Sequence, residues 1–232
     1  MNHQVVSKQE WIAARKRLLD KEKEFTRLRD DLSRERRELP WERVDKEYEF
    51  ETQFGQQTLA DLFEGRRQLV VYHFMFAPNW DNGCKSCSFW ADNFNGIIAH
   101  LKQRNVSFAA VSRAPWQKLH AFAQRLGWSF NWVSSGSNDF NFDYQVSFTE
   151  QQMQGEVDYN YGKRKFPATD APGVSVVVRD GDDVLHTYSS FGRGIDMLNT
   201  AYHYLDLVPK GRDEDGLPSA MAWVKLHDLY SN

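Results

Sequence analysis

Only two of the 232 residues are cysteine. A disulfide framework of the kind that braces small secreted domains is therefore excluded, and whatever the two sulfurs do is local chemistry. Long hydrophobic runs are also missing. The longest strongly apolar stretch, Leu69 to Ala77, spans nine residues and contains His73, against the ~20 a membrane helix needs. Charge of one sign is lacking as well: 29 Lys+Arg against 32 Asp+Glu leave a formal net charge of −3. Such a balance offers no general attraction to phosphate backbones or anionic lipid, so neither a nucleic-acid nor a membrane partner is expected. The start, Met1-Asn2-His3-Gln4, is polar and leads to no apolar stretch with a cleavage site, which makes cytoplasmic residence the expectation. No internal repeat is visible.

What is present is 41% hydrophobic and 14% aromatic residues, enough for a globular domain that buries roughly 70% of its unfolded surface. Residues 1–40 read as a helical arm and 41–232 as the folded domain. Ser7 to Leu39 is one charged helix, with Ser7 and Glu10 at capping-box spacing and Pro40 as its stop. Its apolar residues Trp11, Leu18, Phe25, Leu32 and Leu39 recur every seven positions, but the second seam holds Ala14, Lys21, Leu28 and Glu35. A self-sufficient coiled coil needs two apolar seams. A single stripe suits a helix lying on the body or on a second copy, hence an expected homodimer through this helix.

After Pro40 short strands alternate with helices. Leu69 to Phe76 is a continuous apolar run of strand length, suited to a central strand covered on both faces. Gly83 opens a helix whose buried face would be Trp90, Phe94, Ile97, Ile98 and Leu101. Val106 to Val111 is the next strand, and Pro115 starts a helix that Gly127 ends. The stretch at about 128–170, where aromatics lie among Ser, Asn, Asp and Gly, reads as an insertion. Gly173 to Arg179 and Asp183 to Ser189 flank Asp180-Gly181-Asp182, a hairpin signal. Ile195, Leu198, Tyr202 and Leu205 mark a final helix, and a short apolar helix pattern covers Met221 to Leu229. The expected class is α/β: a central mixed sheet flanked by helices, with an N-terminal helical extension.

Both cysteines sit in Gly83-Cys84-Lys85-Ser86-Cys87, after the central strand and at the start of the next helix. Free N–H groups and the positive end of the helix dipole favour a thiolate at Cys84, and Lys85 adds a nearby charge. Cys87, one turn further in, is placed to resolve a mixed disulfide formed on Cys84. Other readings stay open. A zinc site would need further ligands such as His73 or His100, with no paired spacing to support them. Two buried cysteines without redox chemistry form another alternative. Covalent haem is excluded, because Ser88 stands where a histidine is required. No cofactor is called for.

Pro172 precedes a strand-forming run, the place where thioredoxin-like folds carry a cis-proline against the two sulfurs; an ordinary trans proline before a strand is the alternative. Trp80, Phe89 and Trp90 offer an apolar platform beside the cysteines or simply pack the first helix turn. His73, on an otherwise apolar strand, reads as a satisfied core histidine.

Several blocks carry a resemblance: Trp11-Ile-Ala-Ala-Arg-Lys, Leu39-Pro-Trp, Tyr72-His-Phe-Met-Phe, Trp80-Asp-Asn-Gly-Cys-Lys-Ser-Cys-Ser-Phe-Trp, Val111-Ser-Arg-Ala-Pro115, Tyr204-Leu-Asp-Leu and Met221-Ala-Trp-Val. Over nearly its whole length the chain resembles the thioredoxin-like family catalogued as domain of unknown function 899. The resemblance implies a thioredoxin-like fold and a dithiol–disulfide exchange role for Cys84 and Cys87 on a protein or small-molecule thiol or disulfide. Lys85 stands where a proline is expected in many relatives. A thioredoxin-like binding module without redox turnover is one alternative. A peroxiredoxin-like peroxidase is another, favoured by Thr58 to Gly65 ahead of the strand. Against it, Pro78 precedes Cys84 by six residues and Asp81 occupies the place of the Thr/Ser that holds peroxide, where a carboxylate discourages a second anion. Arg113 is the candidate charge partner, or else a solvent-facing arginine at a strand end.

Overall fold

The computed structural model describes residues 3–231, so Met1 and Asn2 of the polar start lie outside the described residues. The chain divides into two compact units, Met1–Pro40 and Trp41–Asn232.

The first unit is helix α1 (Lys8–Glu38). Its capping box forms as the sequence predicts: the Glu10 amide donates to Ser7 Oγ at 3.3 Å and the Ser7 amide donates to the Glu10 carboxylate at 2.9 Å. The helix ends at Leu39, ahead of Pro40. None of its side chains is buried, and Trp11, Leu18, Phe25 and Leu32 are all exposed.

The second unit contains β1 (Glu42–Arg43), β2 (Glu49–Thr52), β3 (Gly55–Thr58), β4 (Gln68–His73), α2 (Lys85–Ala91), α3 (Ile98–Gln103), β5 (Val106–Ser112) and α4 (Trp116–Arg125). These are followed by β6 (Asn131–Ser134), α5 (Phe140–Asp143), β7 (Val157–Tyr159), β8 (Gly162–Arg164), β9 (Gly173–Asp180), β10 (Asp183–Phe191) and α6 (Thr200–Leu205). Eight strands form one sheet in the order β1-β10-β9-β4-β5-β6-β2-β3, while β7 and β8 make a separate ribbon. Strands β4, β5 and β6 run parallel, and β9 is antiparallel to β4. This is a mixed, helix-flanked sheet, with the two cysteines placed just beyond its central strand.

Strand β4 lies at its centre and is buried on both faces, which explains its unbroken apolar run. Alternate side chains feed two cores. Tyr72 and the following Phe74 pack with Cys87, Trp90, Phe94 and Trp132 on one face. Leu69 and Val71 pack with Val111, Val133 and Phe140 on the other.

Four elements differ from expectation. The helix after Gly83 is two helices, with turns over residues 92–97. The Asn93 side-chain amide donates to the Phe89 and Trp90 carbonyls at 3.0 and 3.1 Å and closes α2, so Ile97 stays exposed instead of joining the buried face. Within 128–170, β6 is a strand of the main sheet, paired in parallel with β5. The final helix begins late: Ile195 and Leu198 belong to a 3-10 stretch, Gly192–Leu198, and Asn199 then caps α6 by accepting the Tyr202 amide at 3.1 Å. The tail forms a single 3-10 turn, His227–Leu229, in place of a helix, although Val224 and Leu226 are buried. Among the described residues no helix is long and apolar enough to cross a membrane.

Candidate functional site

Beyond β4 the chain continues beside β5: the Phe74 amide donates to the Val111 carbonyl at 2.9 Å and the Ala114 amide to the Phe76 carbonyl at 2.8 Å. Lys118 then holds the connecting loop by donating to the Pro78 and Trp80 carbonyls at 3.0 and 2.7 Å. At Gly83 the backbone passes so close to the core that a Cβ would stand 2.8 Å from Phe74 Cε1 and 3.0 Å from Phe122 Cε1. Glycine at this position is a packing requirement. It delivers Cys84 to the start of α2.

Met75 clasps both cysteines. Its carbonyl accepts the Cys84 amide at 3.0 Å, and its own amide donates to the Cys87 sulfur at 3.5 Å. Both thiols are free; Cys84 is half-buried and Cys87 is 2% exposed. The two differ sharply in acidity. Cys84 is lowered from the ordinary thiol range to about 6, first by a hydrogen bond from the Cys87 side chain, then by the Cys87 and Ser86 amides and the Ser86 side chain, against the cost of burial. Cys87 is pushed well up, mainly by burial and then by donating to Cys84, with the Met75 amide and Tyr72 opposing. Burial also keeps the Tyr72 phenol protonated, with a smaller push from Cys87 and Cys84. One sulfur is thus set to be a thiolate and the other to remain its proton donor.

The other predicted site residues are dispersed. Lys85 reaches away to donate to the Ala222 carbonyl at 3.1 Å. Asp81 is exposed and Trp80 is partly buried against the core. Trp90, 4% exposed, donates from its indole N–H to the Ile195 carbonyl at 2.9 Å, and Phe89 meets Trp90, Tyr202 and Trp223 edge to face. Of the three aromatics, Trp90 is core packing rather than platform.

Arg113 does not point to solvent. It grips Asp170, which is 2% exposed, through two hydrogen bonds of 2.8 Å each, and Ser147 Oγ donates to the same carboxylate at 2.7 Å. A bidentate pair satisfied in this way is a fixed strut.

Pro172 is trans, since no peptide bond among the described residues is cis; the cis expectation is corrected. Trans is the lower-energy isomer of an X–Pro bond by about 0.5–1 kcal/mol. The Ala171 amide donates to the Val146 carbonyl and Ser147 bridges Asp170, an antiparallel pairing that brings the chain extended into β9. The Pro172 carbonyl accepts from Tyr159 Oη at 2.7 Å. His73 is fully buried and bonded to Ser175 at 2.8 Å, on the opposite face from the sulfurs. Sequence reasoning missed Met75, Tyr72 and Asp170 because their roles arise from contacts between separate elements, which leave no local spacing to read.

The model of a family described as bacterial protein of unknown function (DUF899) matches residues 1–230. No curated protein matches the chain. Among solved structures, peroxiredoxin Q of Xanthomonas campestris is 14% identical, with a TM-score of 0.47 over 66% of this chain and 85% of that one. Peroxidoxin BcpB of Mycobacterium tuberculosis is 15% identical, with a TM-score of 0.46 over 70% and 94%. A thiol:disulfide interchange protein from Bacteroides sp. is 14% identical, with a TM-score of 0.46 over 75% and 95%.

Proposed function

The chain belongs to the DUF899 family, and on that premise we propose that it is a thiol–disulfide oxidoreductase in which Cys84 attacks and Cys87 resolves. The observation that carries this reading is the geometry of the pair at the start of α2: a half-buried Cys84 whose amide is held by the Met75 carbonyl, beside a buried Cys87 whose sulfur accepts the Met75 amide at 3.5 Å, a setting that lowers the first thiol and raises the second. A thiolate at neutral pH is the species that attacks a disulfide. In the first step the Cys84 sulfur bonds to one sulfur of the substrate and the other leaves as a thiolate. Cys87 then gives its proton to the substrate thiolate that has left and attacks Cys84, releasing the second substrate sulfur as a thiolate and leaving a Cys84–Cys87 disulfide. The substrate is reduced by two electrons and the protein is oxidised by two.

The exposed stripe of α1 we assign to a second copy of the chain; sedimentation showing a monomer at micromolar concentration removes that assignment.

The oxidoreductase reading is tested by equilibrating the protein in glutathione buffers of graded potential, alkylating the thiols and counting them by intact mass. A reversible two-electron transition between about −120 and −270 mV, the span of known thioredoxin-fold exchangers, supports it. Absence of a Cys84–Cys87 disulfide at every potential overturns it in favour of a binding module. In Cys87→Ser, mixed disulfides accumulate on Cys84.

A further inference from the structure

A second built cluster lies on the far face of the sheet. In a regular strand residues three apart point to opposite faces, but β10 changes register between His186 and Tyr188, and this bulge brings His186 and Ser189 together. His186 Nε2 lies 2.7 Å from Ser189 Oγ, and His186 Nδ1 lies 3.3 Å from the Glu42 carboxylate. Ser189 Oγ lies 2.7 Å from Ser175 Oγ, which is 2.8 Å from His73 Nε2.

The order of protons follows from the two ends. An ionised Glu42 can only accept, so the neutral His186 carries its hydrogen on Nδ1 and presents a lone pair at Nε2. Ser189 Oγ–H therefore donates to His186, Ser175 donates to Ser189, and His73 Nε2–H donates to Ser175. Burial keeps His73 neutral, and its Nδ1 is left without a partner. The arrangement is that of a hydroxyl aimed at a base oriented by a carboxylate.

The cluster opens on a cavity of about 510 Å³ lined by Ser189, His186, Tyr144, Tyr161 and Phe191, within the size range of small-ligand sites. Tyr144 Oη is buried there without a hydrogen-bond partner, and its ring centroid is 5.4 Å from that of His186. Burial holds the phenol protonated, so it is a donor awaiting an acceptor. The cations of the lining are already engaged, Arg43 with Asp183 and Lys46 with Asp139 and Asp143.

We propose that this cavity is an acyl-transfer site for small, uncharged carboxylic esters, with Ser189 as nucleophile, His186 as its base, Glu42 as a positioning residue and Tyr144 Oη as donor to the carbonyl oxygen. Ser189 Oγ bonds to the carbonyl carbon while its proton passes to His186 Nε2. The carbon–alkoxy bond then breaks, and the departing alcohol takes that proton. Water repeats the sequence on the acyl-serine: its oxygen goes to the acyl carbon, its proton to His186 and then back to Ser189. Nothing is oxidised or reduced. The paired cations explain the choice of an uncharged acyl group.

The test uses the full chain and a small alkyl fluorophosphonate, with intact mass and peptide mapping. One adduct on Ser189 is expected, absent in Ser189→Ala and formed at least about tenfold more slowly in His186→Ala. Tyr144→Phe slows labelling several-fold; Glu42→Gln slows it and Glu42→Asp recovers part of the rate. An unchanged alkylation rate at Cys84 shows that each variant is folded. No adduct on Ser189, or one whose rate ignores His186, overturns the proposal.

Discussion

On the face of the sheet that carries Tyr72 and Phe74, the Cys84 sulfur has as partners another sulfur, two backbone amides and the Ser86 side chain. On the other face, His73 leads into a line of side-chain oxygens and nitrogens running through Ser175 and Ser189 to His186. Adjacent residues of one strand serve both. The thiol is tuned by short-range contacts within a single turn, so few residues are needed and the surroundings can stay aromatic. The hydroxyl needs a base, and a base needs an orienting group, so the second face assembles residues from β1, β4, β9 and β10. The first arrangement tolerates change in the rest of the sheet; the second depends on strand register.

The two faces should also answer acid differently. His73 is lowered from 6.5 to about 3 by burial, so between these values the unfolded chain binds a proton that the folded chain refuses. Stability therefore rises with pH across that window and is lost as pH falls through it, by a total on the order of 5 kcal/mol. Urea unfolding at pH 7 and pH 4 measures the slope, and His73→Gln should flatten it. Cys84 acts in a higher window: its folded value of about 6 lies below the unfolded 9.0, so its contribution is present above pH 9 and lost as pH falls towards 6.

Removing the Ser175 hydroxyl leaves the buried His73 Nε2–H without an acceptor and takes one of two partners from Ser189, which keeps His186. Ser175→Ala should cost about 1–3 kcal/mol while leaving the alkylation rate of Cys84 unchanged; a slowed Cys84 would mean that the faces are coupled. The converse change is Gly83→Ala, whose Cβ must displace the Phe74 or Phe122 ring. A loss of about 1–3 kcal/mol is expected, with slower alkylation of Cys84 and unaltered labelling of Ser189. Smallest in energy is Cys87→Ala, which deletes the main hydrogen bond to Cys84. The midpoint of Cys84 alkylation against pH should move up from about 6, and a midpoint that stays put would assign the lowered acidity to the backbone amides and the Ser86 side chain.

Local patterns in the sequence were legible. The capping box at Ser7, the stop at Gly127 and the hairpin at Asp180-Gly181-Asp182 depend on a few neighbouring residues and form where their spacing places them, while the central strand forms on its apolar run but ends at His73, short of Phe76. The break between α2 and α3 carried a signal too, in Asn93, Asn95 and Gly96, but helical spacing of the apolar residues outweighed it. Cys84 and Cys87 were visible because their chemistry lies within one turn. Arg113 meets Asp170 across 57 residues, and Ser175 and Ser189 meet only because β9 and β10 pair in one register. Such partners have no periodic signature.

Met75 adds a practical consequence. Its amide proton rests on the Cys87 sulfur while its carbonyl holds the Cys84 amide, so a single residue just beyond the central strand touches each partner of the pair. A thiol sulfur and a disulfide sulfur differ in electron density, and the nitrogen-bound hydrogen facing them must register the difference. With ¹⁵N labelling, the Met75 resonance is an internal gauge of the electron count of the dithiol, readable in solution without a dye, a mutation or an alkylating agent.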